Sequence, residues 1–411
     1  MKILMIAPQP FVEPRGTPIS VYQRLEGLSR LGHSVDLLTY HVGEDVSLPG
    51  VEIHRIPRVP FIKELKVGPS LAKVPLDVLL FFKAIGMLLR KKYDVIHSHE
   101  EAAFFSVFLA ALFRKRHLYD MHSSLPRQLQ NFDFGNVWPI IQAFRWFERV
   151  AIGSCDALIT IGPDLEKYAY EIRPDVAQMM IENLPLRTTS MSRKSVEALR
   201  EKTGIKNRLA IVYTGTFERY QGVDLLLESA KIIAAQYPEV VFVLVGGKPE
   251  QIEAAKEQVA GNVLEKSMIF TGTLPIEEAN QYMELADILV SPRIEGTSVP
   301  LKIYTYLHTG KPIVATNLSA HTLVLTKDTA ILVEPVKEAF AAGIMALLKD
   351  RELRERIGVQ AKKLAEEKYN ASIYLSRLEK IYSVLSVPAV TREGPSADGQ
   401  AAEGPAQTIN N

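Results

Sequence analysis

Ser291-Pro292-Arg293-Ile294-Glu295-Gly296-Thr297-Ser298-Val299-Pro300-Leu301-Lys302-Ile303-Tyr304-Thr305-Tyr306-Leu307-His308-Thr309-Gly310-Lys311-Pro312-Ile313-Val314-Ala315 is the most informative stretch of this chain. The apolar run Ile288–Ser291 enters it as a short strand, a polar loop follows, Leu301–Thr309 has helical spacing, and Pro312–Ala315 reads as the next strand. Strand, helix and strand in that order form the crossover unit of a parallel sheet. Ser298 is placed to cap the helix and Pro300 suits its first turn, while Gly310 suits the position just past its end. A loop ahead of such a helix presents free N–H groups at the positive end of the helix dipole, which makes an anion site. A cation in the first turn costs a helix a few tenths of a kcal/mol to about 1 kcal/mol; Lys302 makes sense there if a diphosphate supplies negative charge. Glu295, at a strand end, is placed to accept hydrogen bonds from hydroxyls.

The same alternation runs outward in both directions. Lys2–Ala7 reads as a buried strand, followed by a Pro- and Gly-rich loop over Pro8–Pro18. Ile19–Leu31 then has helical spacing and is stopped by Gly32. Strands follow at Val35–Thr39, Val51–Ile56, Asp94–Ile96, Leu118–Met121 and Ala157–Ile161, with helices at Phe144–Ile152 and from Pro163. The polar stretch Asn183–Asn207 breaks the pattern, which restarts at the strand Ala210–Tyr213 and continues through the helix Ala371–Leu385. Strands alternating with helices predict parallel sheets covered on both faces: an α/β chain of two doubly wound halves.

With 411 residues, a core needs no staple, and the single cysteine excludes an internal disulfide or a cysteine-built metal site. A net charge of +1 argues against nucleic acid as a partner. The opening Met1–Pro8 is too short for a signal peptide, and neither apolar stretch, Val74–Leu89 or Ala102–Phe113, reaches the length of a spanning helix. A cytoplasmic location is therefore expected.

Further candidates are more local. Gly16 and Thr17 lie in the loop after the first strand, where glycine lets backbone approach a phosphate or sugar; the loop lacks the G-x-G-x-x-G of dinucleotide binders. His97 and His99 alternate to one side of a strand, and with Glu100 invite comparison with a metal site, although a structural pair fits better. His122 follows a strand and can meet a substrate hydroxyl. Residues 55–117 hold twelve Lys and Arg against five Asp and Glu, beside the most apolar helices. That combination suits peripheral contact with an anionic membrane.

Six pieces together resemble the family-4 retaining glycosyltransferases: Gly16-Thr17, Leu31-Gly32-His33-Ser34-Val35, Asp94–His99, Ile181-Glu182-Asn183-Leu184-Pro185, Tyr213–Asp224 and Glu295–Ala315. The resemblance spans about residues 1 to 385 and implies the GT-B fold, two Rossmann-like domains facing a cleft. It implies residues 1–185 as an N-terminal acceptor-binding domain, 186–207 as linker and 208–365 as a nucleotide-sugar-binding domain. Residues 366–386 would form a crossing helix, and composition makes 387–411 a disordered tail. The activity implied is transfer of a sugar from a nucleotide sugar to an acceptor hydroxyl, glycan or lipid-linked, with retention and with no cofactor or metal. Glu295 matches the acid that holds sugar hydroxyls, His122 the histidine near the reacting carbon, and Gly16 and Thr17 the glycine loop near donor and acceptor. Gly296, Thr297, Ser298, Val299, Pro300 and Leu301 match the phosphate-cradling loop.

The departures are specific. The family's ribose-binding glutamate falls on Thr305, and its diphosphate-clamping arginine and lysine fall on Thr216 and Gln221, neither of them charged. Losing one such donor can cost about 3–4 kcal/mol. Arg219 and Lys302 are the candidates to replace them, with Arg293 behind. The alternatives are a catalytically reduced GT-B protein that binds glycan or nucleotide, and a nucleotide-sugar epimerase of the same fold.

Overall fold

The computed structural model describes residues 1–11, 16–60, 62, 65, 73–126, 138–185, 191–296 and 298–386. Thr297 and the stretch 387–411, expected as a tail, lie outside them. The chain divides into two compact units, Met1–Glu182 together with the chain from Ala371 onward, and Asn183–Asn370.

The first unit alternates β1 (Lys2–Ala7), α1 (Gly16–Arg30), β2 (Ser34–Thr39), β3 (Val51–Arg55), α2 (Val74–Arg90), β4 (Val95–His99), α3 (Ala102–Phe113), β5 (Arg116–Met121), α4 (Trp138–Ser154), β6 (Ala157–Thr160), α5 (Pro163–Ile172) and β7 (Ala177–Met180). Its seven strands are parallel in the order β3-β2-β1-β4-β5-β6-β7. The second unit runs α6 (Arg193–Lys202), β8 (Ala210–Thr214), α7 (Val223–Ala234), β9 (Val241–Val245), α8 (Pro249–Val259), β10 (Met268–Gly272), α9 (Ile276–Leu285), β11 (Ile288–Ser291), α10 (Leu301–Thr309), β12 (Ile313–Thr316), α11 (Ser319–Thr322), β13 (Ile331–Val333), α12 (Lys337–Lys349) and α13 (Arg351–Lys368). Its six strands are parallel in the order β10-β9-β8-β11-β12-β13.

Both sheets are buried on two faces, which is why their strands read as continuous apolar runs. Along β8 and β9, Ile211, Tyr213, Phe242 and Leu244 feed one core, and Ala210, Val212, Val241 and Val243 the other. The last helix, α14 (Ala371–Ser386), packs on α1, β6 and β7 of the first unit. It buries Tyr374, Leu378, Ile381, Tyr382 and Leu385, a stripe at helical spacing. α13 ends at Lys368 and α14 begins at Ala371, as the helix read at Ala371–Leu385 expects, so a break at Tyr369 and Asn370 interrupts the crossing helix that the resemblance implies over 366–386. Within 186–207, α6 belongs to the second unit and rests Val196 and Leu199 on its core.

Four expectations about local structure change. Helix α1 starts at Gly16 rather than Ile19; Pro18 falls in the first turn, where its missing N–H costs nothing. β4 runs on to His99, so both histidines are strand residues. β7 and β13 are additional strands: Ala177–Met180 lacks β-branched residues and Ile331–Val333 is only three residues long. Finally, Ser298 does not cap α10. Pro300 is the N-cap, extended at φ −65° and ψ 132°, and no side chain caps the turn. Proline disfavours helical backbone in the residue before it, so the helix cannot extend back to Ser298.

Strand order reverses at β1/β4 in one sheet and at β8/β11 in the other. Open parallel sheets bind ligands outside the carboxyl ends of their strands at such switch points. The candidate residues collect at these two places.

Candidate functional site

In the second unit, the loops leaving β8 and β11 lock together. The Ile294 amide donates to the Tyr220 carbonyl at 3.0 Å, and the Arg293 guanidinium lies 5.0 Å over the Tyr220 ring. Gly222, at φ +72°, brings the 3-10 turn Arg219–Gln221 against the other loop; a Cβ there would sit 2.0 Å from the Pro292 carbonyl oxygen. Arg293 donates to the backbone oxygens of Glu295 at 2.6 Å and Ser298 at 3.2 Å, which braces the loop carrying Gly296. Its role is therefore structural within the loop, and burial lowers its pKa from the ordinary value.

Lys302 rises from the first turn of α10 into this junction. It is buried, and its Nζ donates to the Thr214 carbonyl at 2.9 Å and to Gln221 Oε1 at 3.4 Å. The ammonium also lies 4.0 Å above the Tyr213 ring. Among the described residues no carboxylate forms an ion pair with it. Burial, reinforced by Arg293, holds it well below the usual lysine range. Gly215, at φ +141°, passes beside it; a Cβ there would stand 3.3 Å from Nζ and 3.1 Å from the Tyr213 hydroxyl. A buried cation without a counter-charge, beside an uncapped helix start and under a bare glycine, is arranged for an anion.

The other expected residues distribute around this point. Gln221 touches Lys302, so the uncharged residue at the lysine position is supplied with an ammonium from α10. The Thr216 carbonyl accepts from the Tyr213 hydroxyl at 2.6 Å. Arg219 is exposed, Glu295, Gly296 and Ser298 line the exposed part of the loop, Val299 and Leu301 are half-buried, and Pro300 is buried. Thr305 is fully buried inside α10 and offers no surface to a ligand. Behind the loops, His321 bridges Ser291 Oγ at 2.8 Å and the Thr316 carbonyl at 2.8 Å. Sequence reasoning missed this brace, and also the parts played by Tyr213 and Gly215.

In the first unit, Gly16 opens α1 at φ +44°, and Thr17 Oγ1 donates to Glu100 Oε1 at 3.4 Å. Glu100 follows β4 with a left-handed backbone, φ +49°, accepts from Ser123 Oγ at 2.8 Å, and is pushed up to about 8 by burial and by Glu101. His122 follows β5. Its Nε2 lies 3.0 Å from His99 Nδ1 and 3.3 Å from Asp120 Oδ1, and burial lowers it to about 4. Asp120 is fully buried; Arg24 of α1 and the surrounding histidines overcome the burial that would raise it, and hold it well below the carboxylate range.

His97, His99 and Asp120 bring ligand atoms within 4.8 Å of one another. Asp120, not Glu100, is thus the acid that joins the two histidines. Yet Asp120 Oδ2 already accepts from Arg24 Nε at 2.8 Å, so a metal at that oxygen would face a guanidinium. The set fits a hydrogen-bonded ion pair better than a cation.

Two Rossmann-like units, each a parallel sheet covered by helices with its own switch point, define the chain as a GT-B type α/β protein. Comparison with known proteins gives the family. Residues 14–176 match the model described as Glycosyltransferase Family 4, and residues 208–350 match Glycosyl transferases group 1. The chain belongs to the family-4 glycosyltransferases and is a transferase. It is 24% identical to the sulfoquinovosyl transferase SQD2 of Arabidopsis thaliana over 92% of this chain and 75% of that protein. It is 23% identical to the phosphatidyl-myo-inositol mannosyltransferase of Mycobacterium tuberculosis over 94% of this chain and 97% of that one. Among solved structures, Anabaena HepE in complex with UDP aligns with a TM-score of 0.72 at 17% identity, covering 94% of this chain and 100% of that one. No helix of the described residues is long and apolar enough to cross a membrane.

Proposed function

We propose that the chain moves a sugar from a nucleoside diphosphate donor to an acceptor hydroxyl, with retention at the anomeric carbon, in glycolipid or polysaccharide synthesis. The observation that carries this reading is Lys302: a buried ammonium with no carboxylate partner among the described residues, at the start of an uncapped helix and at a sheet's switch point. The bond from the anomeric carbon to the diphosphate oxygen breaks, the acceptor oxygen bonds to that carbon from the same face, and the acceptor proton passes to the leaving diphosphate. Lys302 and the α10 amides meet the charge that grows on the diphosphate, where preorganised donors have their largest effect. Glu295, Gly296 and Ser298 hold the sugar and phosphates, and His122 meets the sugar. No cofactor takes part in such a step.

The uncharged Thr216 and Gln221 keep a second reading in play, a GT-B protein that binds nucleotide without turning it over. One experiment separates the two. Purified protein is warmed with UDP-, GDP- and ADP-sugars, UDP-glucose first because HepE has been solved with UDP-glucose. One base is expected to raise the melting temperature with RT ln(1 + [L]/Kd), and slow hydrolysis of that donor marks an enzyme. Stabilisation without hydrolysis or transfer favours the second reading, and no stabilisation by any donor removes both.

The surface of the first unit supports a membrane-borne acceptor, with the protein cytoplasmic and peripheral. α3 packs against both α2 and α4. These three helices expose Val74, Val78, Phe82, Leu89, Phe108, Leu112, Trp138, Ile140 and Trp146, with Leu89 and Leu112 more than 70% exposed. Their acids are turned inward: α3 has none, Asp77 accepts from the Tyr40 hydroxyl, and Glu148 is buried against Ser124. The net basic count overstates the free charge, because Arg55, Lys73, Lys91 and Arg116 pair with Asp45, Glu101, Asp36 and Asp156. Arg90, Lys92, Arg114 and Arg149 remain exposed in or just beyond the three helices. An apolar face with exposed cations in or just beyond its helices suits anionic lipid, at about 1 kcal/mol per basic side chain. Co-sedimentation with phosphatidylglycerol vesicles at low salt is expected, with loss in the Phe82→Asp/Leu112→Asp double variant. Failure of the native protein to sediment rules the contact out.

A further inference from the structure

We propose that Asp120 is a positioning residue that fixes His122 as the Nε2–H tautomer, and so presents His122 Nδ1 as an acceptor for a hydroxyl of the bound sugar. The second half rests on the functional reading above; the first does not.

The argument is one of proton placement. His122 Nε2 and His99 Nδ1 are 3.0 Å apart, so one of them carries the proton between them. Asp120 Oδ1 lies 3.3 Å from the same Nε2. If His99 donated, the bare lone pair of His122 Nε2 would face a carboxylate. If His122 donates, its N–H points toward the anion and His99 Nδ1 accepts. Asp120 Oδ1 and His122 Nδ1 have no other hydrogen-bond partner among the described residues, although both are buried. The Nε2–H arrangement places a proton beside the first and leaves the second as an unused lone pair; it puts the His99 proton on Nε2, which also has no hydrogen-bond partner among the described residues, so the contact with Asp120 Oδ1 is what decides between the two. The tautomer of a histidine follows from the partner of its other nitrogen. Both rings stay neutral near pH 7, because burial outweighs the nearby carboxylate.

Asp120 cannot swing away from this duty. Its other oxygen, Oδ2, accepts from Arg24 Nε at 2.8 Å. Arg24 in turn donates to the Tyr374 hydroxyl of α14 at 2.8 Å and to the Ile181 carbonyl at 2.9 Å. Helices α1 and α14 and the end of β7 thus clamp one carboxylate against one ring. A neutral isostere reverses the effect. In Asp120→Asn the amide oxygen stays on Arg24, so the amide nitrogen faces His122 Nε2, donates to its lone pair, and moves the ring proton to Nδ1.

The test reads the tautomer without any substrate. Full-length protein labelled with ¹⁵N-histidine is observed by long-range ¹H–¹⁵N spectra near pH 7.5, the His122 signals being those lost in His122→Gln. The native protein is expected to show Nε2 protonated and Nδ1 bare, and Asp120→Asn the reverse. A native Nδ1–H tautomer, or no change in Asp120→Asn, overturns the proposal. Tyr374→Phe keeps the Arg24–Asp120 bond and is expected to leave the tautomer as it is, and it remains informative if Asp120→Asn does not fold. With the donor found in the sugar-nucleotide screen, Asp120→Asn is expected to lower kcat about 10–100-fold while donor KM stays within about threefold. Unchanged kcat overturns the substrate half. If no donor binds the native protein, the functional reading has failed, and the spectrum still judges the tautomer.

Discussion

Lys302→Met is expected to raise the melting temperature of the ligand-free protein and to remove nucleotide-sugar binding, two effects of opposite sign from one side chain. The ammonium is buried without a carboxylate partner among the described residues. Methionine fills similar volume without the desolvation penalty, a change that gains about 1–4 kcal/mol at buried ionic sites, against about 1 kcal/mol for the hydrogen bond to the Thr214 carbonyl. A net gain of up to about 3 kcal/mol corresponds to a rise of as much as about 12 °C for a unit of this size. Binding moves the other way, by about 2–5 kcal/mol for losing one partner of a buried charge pair with the diphosphate, or roughly 30- to 5,000-fold in affinity.

The protonation of Lys302 adds a second signature. Its folded-state pKa is lowered, so between that value and the ordinary lysine value the unfolded chain binds the extra proton. Stability from this group therefore rises with pH across that window. A bound diphosphate restores the ammonium, so binding takes up a proton there. Calorimetry in buffers of different ionisation enthalpy reads that uptake directly. A Lys302→Met protein that melts lower and binds donor as before would sink the assignment.

Arg24→Leu is expected to be the most damaging single change to the first unit. It leaves Asp120 fully buried without its strongest counter-charge. Breaking a buried pair on one side costs about 3–5 kcal/mol, or about 6–20 °C. The double variant Arg24→Leu/Asp120→Leu should recover most of that loss, because neither partner is then stranded. The sign with pH is also set. Asp120 has a depressed folded-state pKa, so its contribution is complete above the ordinary carboxylate value of about 3.9. It drains away as pH falls toward the folded value. Denaturant melts of the native and Arg24→Leu proteins should therefore converge in acid. A constant gap between them from pH 7 downward would show that the pair is not the source.

What the sequence by itself determined is what neighbouring residues decide together. The alternation of apolar strands with helical spacing produced two doubly wound halves, since burial on both faces leaves its mark in every strand. Gly310 ends its helix at φ +66° where a glycine at that place should, and the start of that helix at a switch point was legible from Pro300. The capping role assigned to Ser298 failed because one dihedral restriction, imposed by Pro300, outweighed a favourable side chain.

Tertiary structure decided everything that depends on distant residues meeting. Gln221 and Lys302, 81 positions apart, share a hydrogen bond, so an absent charge on one loop is supplied from a helix beyond another. Arg24, Asp120 and Tyr374 come from α1, β5 and α14, with Arg24 and Tyr374 separated by 350 positions. Local sequence encodes backbone preference; it does not encode burial, and it is burial that makes a lysine seek an anion and lets a carboxylate dictate which nitrogen of a histidine holds the proton.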